Sequence, residues 1–405
     1  MAINLGLADD DQLIFETLND RGTPLLAADL IKNWVFQRGE ELGADTEAWA
    51  DAHWVELDDD WWREAISQGR YMRSRIDIFL QYWLTMRMKD EIASDTVFRR
   101  FREHADSCMT TAEAAQSFLL AMRRDADTFR SFAQLDPDTP AGRFYARVVD
   151  SFELAATTPL LLWKLSENHR VPDPQIEQGL SALESWVIRR TVLRMTMKDV
   201  NKLMVAVLGM LETRPVGEAG EAVREYLAAQ TADARLWPTD AYVMDSLPSI
   251  RLYGNVRKGR LRVVLEGIER QLRTEKHENT ALPARLEIEH VMPRTWQTHW
   301  DADPPLDADA AAARSKRVET LGNLTLVTQK LNGSLSHRPW TNPEAAKVAP
   351  TGKEAGLGKR SLLDRYSLLV LNKSLVSGHP DAWTEDDIRQ RGVELTTRLC
   401  AIWPR

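Results

Sequence analysis

Two stretches of sequence decide the C-terminal fold: LEIEHVMPRTWQTHW at residues 286–300 and RVETLGNLTLVTQKLNGSLSHRPW at residues 317–340. In the first, Leu286 and Ile288 alternate with two glutamates, which is the period-two pattern of a half-buried strand. The alternation stops at His290, and a proline and an arginine follow within four residues. The sequence therefore predicts a short strand that ends in an imidazole.

The second stretch carries a further apolar alternation. Leu324 and Leu326 flank a threonine, which predicts another strand, and Asn323 stands at its start. Asn332 follows where the alternation ends. The predicted order is strand, loop, strand and polar segment, with a histidine and two asparagines at or just beyond the strand ends.

These residue types suit the hydrolysis of a phosphodiester bond by one metal ion. A neutral imidazole accepts a proton from water near neutral pH, so His290 is the predicted general base. A hard divalent cation would take oxygen ligands such as the carboxylate of Glu289 and the amide oxygen of Asn332. Asn323 would fix the loop or orient the imidazole. The alternative is a buried hairpin that carries ordinary surface polar residues.

Several separated motifs match one known family in the right order. They are Glu289-His290-Val291-Met292-Pro293, Leu321-Gly322-Asn323-Leu324-Thr325-Leu326, Asn332, Leu335-Ser336 and Lys347. Together they resemble the HNH-type (ββα-metal) nuclease domain of the GmrSD family of modification-dependent restriction endonucleases. The resemblance implies a Mg²⁺ or Mn²⁺ ion, DNA as the substrate, His290 as the catalytic base, and Asn323 and Asn332 as the other motif members.

The resemblance also implies metal ligands. Glu289 occupies the place where many HNH nucleases carry a metal-binding Asp or His, so its carboxylate is a predicted ligand beside Asn332. His337 lies near the place of a third ligand. The alternative for His337 is a solvated loop histidine beside Pro339.

Composition places the chain among soluble globular proteins. Its 405 residues allow roughly two or three domains, and its content of 43% hydrophobic and 28% charged residues is ordinary for that class. Cys108 and Cys400 form no metal-binding or disulfide pattern. No apolar run of about 18 residues occurs, and the N-terminus lacks a basic start with an apolar segment behind it. We therefore expect a cytoplasmic protein without a membrane span.

The formal net charge of −8 is unevenly distributed. Residues 281–405 hold 17 Lys and Arg against 15 Asp and Glu, whereas residues 1–280 hold 35 against 45. Local cations near the hairpin, rather than the total charge, decide whether it binds a nucleic-acid backbone. The candidate DNA contacts near the hairpin are Arg294, Arg317, Lys330, Arg338 and Lys347, and those in the basic turn that starts at Arg251 are Arg257, Lys258 and Arg260. The alternative for each of them is an ordinary solvated surface charge.

A second distinctive stretch is DQLIFETLNDRGTPLLAADLIKNWVF at residues 11–36, which predicts a turn followed by an amphipathic helix. It resembles the end of the ParB-like N-terminal domain of the same family, a module that engages nucleotides. The matching residues are Asn19, Arg21, Gly22, Asp29, Lys32 and Asn33.

The upstream Asp-Gly-Gln-Gln-Arg motif of that ParB-like domain is absent from the sequence. We therefore expect no nucleotide cofactor in this chain alone, and the residues of the turn then serve only the fold. Three explanations are open: a truncated gene product, a fragment, or a separate ParB-like NTPase chain that acts as a partner.

Helical periodicity dominates the remaining sequence, with little strand character between residues 47 and 135. Ile76, Phe79 and Trp83 recur at helical intervals, and we interpret this tryptophan-containing stripe as core. A helix that docks the hairpin is predicted within residues 251–276, and a closing helix capped by Thr384 is predicted at the C-terminal end.

We therefore predict a mainly α (α+β) protein, with a helical body and a small C-terminal ββα-metal unit of the HNH type. The predicted domains are a remnant of the ParB-like domain at 1–45, a helical domain at 46–250, and the nuclease domain with its docking and closing helices at 251–405.

The expected function is metal-dependent cleavage of DNA within a GmrSD-like restriction system that defends against modified or phage DNA. Two alternatives stay open at this point. One is a non-catalytic, DNA-sensing subunit that needs a separate N-terminal partner. The other is an RNA nuclease, because the same catalytic geometry does not choose between nucleic acids.

Overall fold

Helices dominate the chain, as the sequence predicts. The structure is a computed structural model, and it describes residues 26–69, 71–273, 281–283, 285–300 and 305–405. Among the helices of these residues, none has the length and apolar character that crossing a membrane requires. The strands are β1 (Ala65–Gln68), β2 (Tyr71–Ser74), β3 (Leu286–His290) and β4 (Leu324–Thr328).

The α-helices of the described residues are numbered in chain order. The first ten are α1 (Ala27–Glu41), α2 (Thr46–Trp49), α3 (Asp60–Arg63), α4 (Arg75–Met88), α5 (Val97–Cys108), α6 (Ala112–Ser131), α7 (Pro140–Phe144), α8 (Thr158–Leu165), α9 (Asp173–Val192) and α10 (Val200–Leu211). The others are α11 (Ala219–Ala228), α12 (Asp240–Ser246), α13 (Lys258–Leu272), α14 (Ala308–Arg317), α15 (Gln329–Leu335), α16 (Asn342–Val348), α17 (Lys359–Tyr366), α18 (Val370–Gly378) and α19 (Glu385–Ile402).

The chain divides into two compact units. The first contains the residues up to 136 together with 156–176 and 200–219, and the second contains 137–155, 177–199 and 220–405. The division into a ParB-like remnant, a helical domain and a nuclease domain stays a prediction.

Aromatic side chains build the core of the first unit. Phe79 and Trp83 on α4 are both fully buried. The ring of Trp83 meets the ring of Phe118 edge-on with centroids 5.5 Å apart, and its indole nitrogen donates to the buried carboxylate of Asp125 at 3.0 Å. Tertiary packing of this kind supplies most of the stability of a helix in a protein. The predicted core position of this aromatic stripe is confirmed.

The first unit contains a pair of strands, β1 and β2, in a region for which the sequence predicts helices with little strand character. β1 and β2 pair in antiparallel register, with Gln68 opposite Tyr71. Gly69, which follows β1, has a φ of 65°, a backbone conformation that glycine adopts at little cost. Both strands are four residues long and only Ser74 is fully buried, so no regular apolar alternation signals them.

In the second unit, β3 and β4 form the antiparallel pair that the sequence predicts. Leu286 lies opposite Thr328, and His290 lies opposite Leu324. Burial alternates along β3, and His290 belongs to the more buried set. The register therefore places the imidazole at the end of the strand pair.

A helix follows directly on the second strand. α15 begins one residue after β4 ends and packs on both strands. Its Leu331 and Leu335 join Val327 of β4 in one buried cluster. The observed order is strand, strand and helix, and α13, the predicted docking helix, also packs on this strand pair.

The predicted closing helix is confirmed as α19. Thr384 caps it in a capping box with Asp387. Arg391, which is buried, donates from Nη1 to the carbonyl oxygens of Gly322 at 2.6 Å and Leu324 at 2.8 Å. The helix therefore holds the entrance to β4 by two charge-assisted hydrogen bonds.

The backbone of α19 passes very close to Gly322. A β-carbon at this position would lie 1.9 Å from the carbonyl oxygen of Ile388 and 2.8 Å from the nitrogen of Gly392. We expect Gly322→Ala to lower the free energy of unfolding by about 1–3 kcal/mol or more, because backbone atoms have to shift to admit the methyl group. Urea denaturation of both proteins measures this loss.

Gly333→Ala is the matched control. Gly333 lies inside α15, and nothing lies within 4 Å of the position of its β-carbon. There the substitution should raise stability by about 0.5–1 kcal/mol, since alanine is the better helix former. Equal stability losses in the two variants would contradict this account of the packing.

Candidate active site

His290 is held in a nearly closed environment at the end of β3. Its Nε2 atom lies 3.1 Å from Oε2 of Glu319, and only 8% of its side chain is exposed. The ring of Tyr253 meets the imidazole edge-on, with centroids 4.5 Å apart. Two neighbours from distant parts of the sequence therefore fix the orientation of the ring.

The contact with Glu319 has a consequence for the tautomer of His290. A carboxylate accepts hydrogen bonds, so a neutral imidazole carries its proton on Nε2 and donates it to Glu319. Nδ1 then holds the lone pair, and it makes no hydrogen bond to the described residues. A lone pair of this kind can accept a proton from a water molecule that reaches the exposed edge of the ring.

Glu319 itself is buried and receives two donors. Arg294 Nε donates to Oε1 at 2.8 Å, and His290 contacts the other oxygen. Burial raises the pKa of Glu319, but the hydrogen bonds from His290 and Arg294, the charge of Arg294 and, when His290 is protonated, the charge of its imidazolium outweigh burial and hold this pKa below its ordinary value. The carboxylate therefore stays ionised near neutral pH.

Other cations gather around the same pair. Nη2 of Arg251 lies 3.9 Å from Oε1 of Glu319. The ammonium of Lys258 and the guanidinium carbon of Arg294 lie 5.6 Å and 5.7 Å from the centre of the Tyr253 ring. Of the predicted DNA contacts, Arg294 and Lys258 are thus brought together with His290. We call Arg251, Lys258 and Arg294 the cation cluster.

Three other predicted DNA contacts are engaged within the protein. Arg260 donates to the carbonyl oxygen of Phe152 at 2.5 Å, and Arg257 pairs with Glu153. Arg338 donates to the carbonyl oxygens of Ser334, Glu354 and Leu357 at 2.9–3.0 Å. Because these bonds use most of its donors, Arg338 holds the loop before α17.

The remaining three predicted contacts lie on helices of the second unit. Lys330 is exposed on α15, and Lys347 is exposed in the last turn of α16. Arg317 ends α14, where its Nη1 atom lies 3.5 Å from the carbonyl oxygen of Glu385. Their predicted role in binding DNA stays a prediction.

Asn323 is completely buried, and both ends of its amide are used. Oδ1 accepts from the backbone nitrogen of Met292 at 2.9 Å and from the indole nitrogen of Trp383 at 3.1 Å. Nδ2 donates to the carbonyl oxygens of Met292 at 2.8 Å and Val318 at 2.9 Å. This geometry fits the predicted role in fixing the loop after His290. It leaves no face of the amide for a substrate.

Glu289 has different partners from its neighbour. Successive side chains of a strand point to opposite faces, so Glu289 and His290 leave β3 on opposite sides. Nζ of the buried Lys359 donates to Oε1 of Glu289 at 2.5 Å and to the carbonyl oxygen of His290 at 2.7 Å. Burial lowers the pKa of Lys359, which the charge of Glu289 opposes. Lys359 therefore ties the strand end to α17.

The fit of the predicted ligands to a divalent cation can be judged from their chemistry. Oε2 of Glu289 makes no hydrogen bond to the described residues, and Asn332 lies on α15, which packs on β3. Mg²⁺ is commonly bound by one or two carboxylates while it keeps several waters, so one carboxylate and one amide oxygen suit it. No cluster of three His, Cys, Asp or Glu is found in the described part of the chain. His337 is exposed, and its Nδ1 atom lies 2.8 Å from the hydroxyl of Thr295.

The N-terminal motif is only partly described. Asn19, Arg21 and Gly22 lie outside the described residues. On α1, Asp29 pairs with Arg63 at 2.6 Å, Lys32 pairs with Asp58, and Asn33 is exposed. These ion pairs hold α1 to the segment around α3.

Comparison with known proteins gives a family match within the second unit. It covers the part of the chain that contains His290, Glu319 and the cation cluster, and it suggests a nuclease of the restriction endonuclease type. Residues 237–398 match the family of GmrSD restriction endonucleases, C-terminal domain, so the resemblance is confirmed over that range. No curated protein matches the chain.

Sequence reasoning missed Glu319 and Tyr253, and it considered Lys359 as a DNA contact without connecting it to Glu289. Glu319 stands four residues before Asn323 of the recognised motif, so an acidic residue next to that motif was the available signal. Lys359 and Tyr253 lie 69 residues after and 37 residues before His290, and no local pattern connects them to it.

Glu319→Gln should change how stability depends on pH. The pKa of Glu319 in the folded protein is lowered from its ordinary value of 4.5, so its contribution is fully present above about pH 4.5 and is lost as the pH falls through the folded-state pKa. We expect the wild-type protein to lose urea resistance below about pH 4.5 more steeply than Glu319→Gln does. Urea midpoints measured from neutral to acidic pH give both slopes.

Asp386→Asn serves as the control, because this carboxylate is 85% exposed. Its urea midpoints should follow the wild-type curve. If the urea midpoints of the wild-type protein and of Glu319→Gln fall equally steeply with pH, the contact between Glu319 and His290 contributes no pH-dependent stability.

Proposed function

We propose that this chain cleaves phosphodiester bonds in DNA, with His290 as the general base. The observation that carries the proposal is the buried imidazole whose Nε2 atom is held by Glu319 while Nδ1 stays without a partner among the described residues. The match of residues 237–398 to a restriction endonuclease domain supports the same chemistry.

In the proposed reaction, Nδ1 of His290 removes a proton from a water molecule as its oxygen attacks the phosphorus atom. The bond from phosphorus to the leaving oxygen breaks, and that oxygen takes a proton from solvent. Glu319 stabilises the imidazolium that forms, because its carboxylate already accepts from Nε2. General base catalysis of this kind contributes roughly 10²–10⁴-fold to a rate.

The cation cluster is the proposed contact for the DNA backbone. Arg251 and Arg294 are 49% and 58% exposed, so their guanidinium groups can reach a phosphate while they remain near Glu319. Arginine binds phosphate oxygens through paired donors, and each neutralised phosphate releases counterions. Binding of DNA should therefore weaken steeply as salt rises.

We propose Mg²⁺ or Mn²⁺ as the cofactor, with Glu289 and Asn332 as the residues that would hold it. Glu289 leaves β3 on the side opposite to His290, so such an ion, when bound, would supply charge stabilisation to a phosphate that spans the end of this strand. Lys359, which donates to Oε1 of Glu289, would orient this carboxylate for the ion.

At the biological level we propose defence against modified or phage DNA in the cytoplasm. A separate ParB-like chain is the proposed partner for nucleotide-dependent control, because residues 11–36 resemble the end of that module.

Incubation of the purified protein with supercoiled plasmid and with RNA, in Mg²⁺ or in EDTA, tests the proposal. We expect nicked or linear plasmid in Mg²⁺, intact plasmid in EDTA and intact RNA. Cleavage of RNA but not of plasmid would identify RNA rather than DNA as the substrate. Binding of DNA without cleavage of either nucleic acid would favour a DNA-sensing subunit and overturn the enzymatic proposal.

A further inference from the structure

Lys164 is a buried lysine without an acidic partner. It lies in α8, where apolar residues separate it from Thr158 and follow it, and 1% of its surface is exposed. Among the residues that the structure describes, its ammonium makes no ion pair and one long hydrogen bond, 3.4 Å to the carbonyl oxygen of Gln175. An ammonium has three donors, and burial of an unpaired charge costs several kcal/mol. The environment of Lys164 therefore lacks an acceptor for most of its donors.

The lysine lines a cavity of about 360 Å³ in the first unit. This volume lies within the range of ligand pockets, about 300–1,000 Å³. Arg124 and Arg170 also line it, and neither guanidinium pairs with a carboxylate in the described part of the chain. Arg170 has a φ of 52°, which lies in the left-handed region of the backbone that non-glycine residues other than Asn, Asp and His seldom adopt. Lys164, Arg124 and Arg170 thus line the same cavity.

The carboxylates near this cavity do not neutralise the charge of Lys164. Glu167 and Asp173 line the cavity, but both are exposed, and water screens their charge. Asp125 lies next to Ser166 of the lining, yet its oxygens are taken by Ser166, Asn168, Trp83 and Arg87. Lys164 is thus the buried charge of this lining, whereas Arg124, Arg170, Glu167 and Asp173 all lie toward solvent.

We propose that this cavity binds a small phosphate-bearing molecule, with Lys164 as the buried contact and Arg124 and Arg170 as the solvent-facing contacts. A phosphate group offers several strong acceptors to the donors that these cations leave unused. The volume of the cavity exceeds what a bare phosphate needs, so there is room for a further group such as a nucleoside. The proposal is independent of the nuclease function, because none of these residues belongs to the second unit.

The ionisation of Lys164 is consistent with such a ligand. Burial lowers the pKa of Lys164 to about 8, so its ammonium loses a proton more readily than that of an exposed lysine does. A bound phosphate would favour the charged form and raise this pKa.

Isothermal titration with inorganic phosphate, adenosine 5′-monophosphate and adenosine tests the proposal on the full chain. We expect both phosphate-containing probes to bind and to raise the Tm, and adenosine to do neither. Lys164→Met should weaken binding of both probes at least tenfold. Lys202→Met, which removes an exposed lysine from α10 of the same unit, should leave the affinities unchanged.

Lys164→Met should fold at least as stably as the wild type, since methionine fills similar space without a charge to bury. A second measurement does not depend on the binding of any variant: phosphate should raise the pKa of Lys164 in the wild-type protein, as read from the pH dependence of its side-chain NMR signal. Binding of adenosine as tight as that of its monophosphate, absence of phosphate binding, or unchanged affinity in Lys164→Met would each overturn the proposal.

Discussion

Replacement of His290 by alanine is expected to reduce plasmid cleavage by roughly 10²–10⁴-fold, because the variant has no group at that position to accept a proton from the attacking water. The loss should appear in the turnover rate at saturating DNA. The affinity for DNA should change little, since the cation cluster is left in place. Single-turnover cleavage and fluorescence anisotropy with a labelled duplex separate the two effects.

His299→Ala provides a matched control, because His299 is exposed in the segment after β3 and lies outside the proposed mechanism. It should cleave at the wild-type rate. Circular dichroism has to show that His290→Ala keeps the helical content of the wild type. Undiminished cleavage by a folded His290→Ala protein would remove the imidazole from the reaction.

Asn323→Ala is expected to cause the largest loss of stability, about 3–5 kcal/mol at neutral pH, because two buried donors and two buried acceptors lose their partner and a cavity forms. The donors that lose their acceptor are the backbone nitrogen of Met292 and the indole nitrogen of Trp383. Unfolding in urea, followed by tryptophan fluorescence, measures the change.

Asn33→Ala removes the same amide from an exposed position on α1, so its effect should remain within about 0.5 kcal/mol. A loss of less than about 1 kcal/mol in Asn323→Ala would mean that water replaces the amide and that the loop after His290 does not depend on it.

The strand pair and the closing helix could be predicted because each carries a local pattern. Leu286 and Ile288 alternate over a few residues, and Thr384 precedes an acidic first turn. The position of His290 at a strand end and that of Asn323 at the start of the next strand follow from the same local patterns. These parts of the candidate site depend on residues close together in sequence.

The groups that complete the site could not be predicted, because they come from distant segments. Glu319 reaches His290 across 29 residues, and Lys359 reaches the same strand end across 69. A buried lysine and an exposed one look alike in sequence. The short strand pair of β1 and β2 was missed for a different reason, since its strands are only four residues long and show no apolar alternation in the sequence.

The bridge between Arg251 and Thr320 bears on how the part of the chain around His290 could be expressed alone. A fragment limited to residues 286–347 would include the motif residues around His290, Asn323 and Asn332. It would omit Tyr253, which contacts the imidazole, and Arg391, which donates to the backbone at the start of β4. We expect such a fragment to be insoluble or unfolded. The shortest autonomous piece should begin before Arg251 and extend through the end of α19.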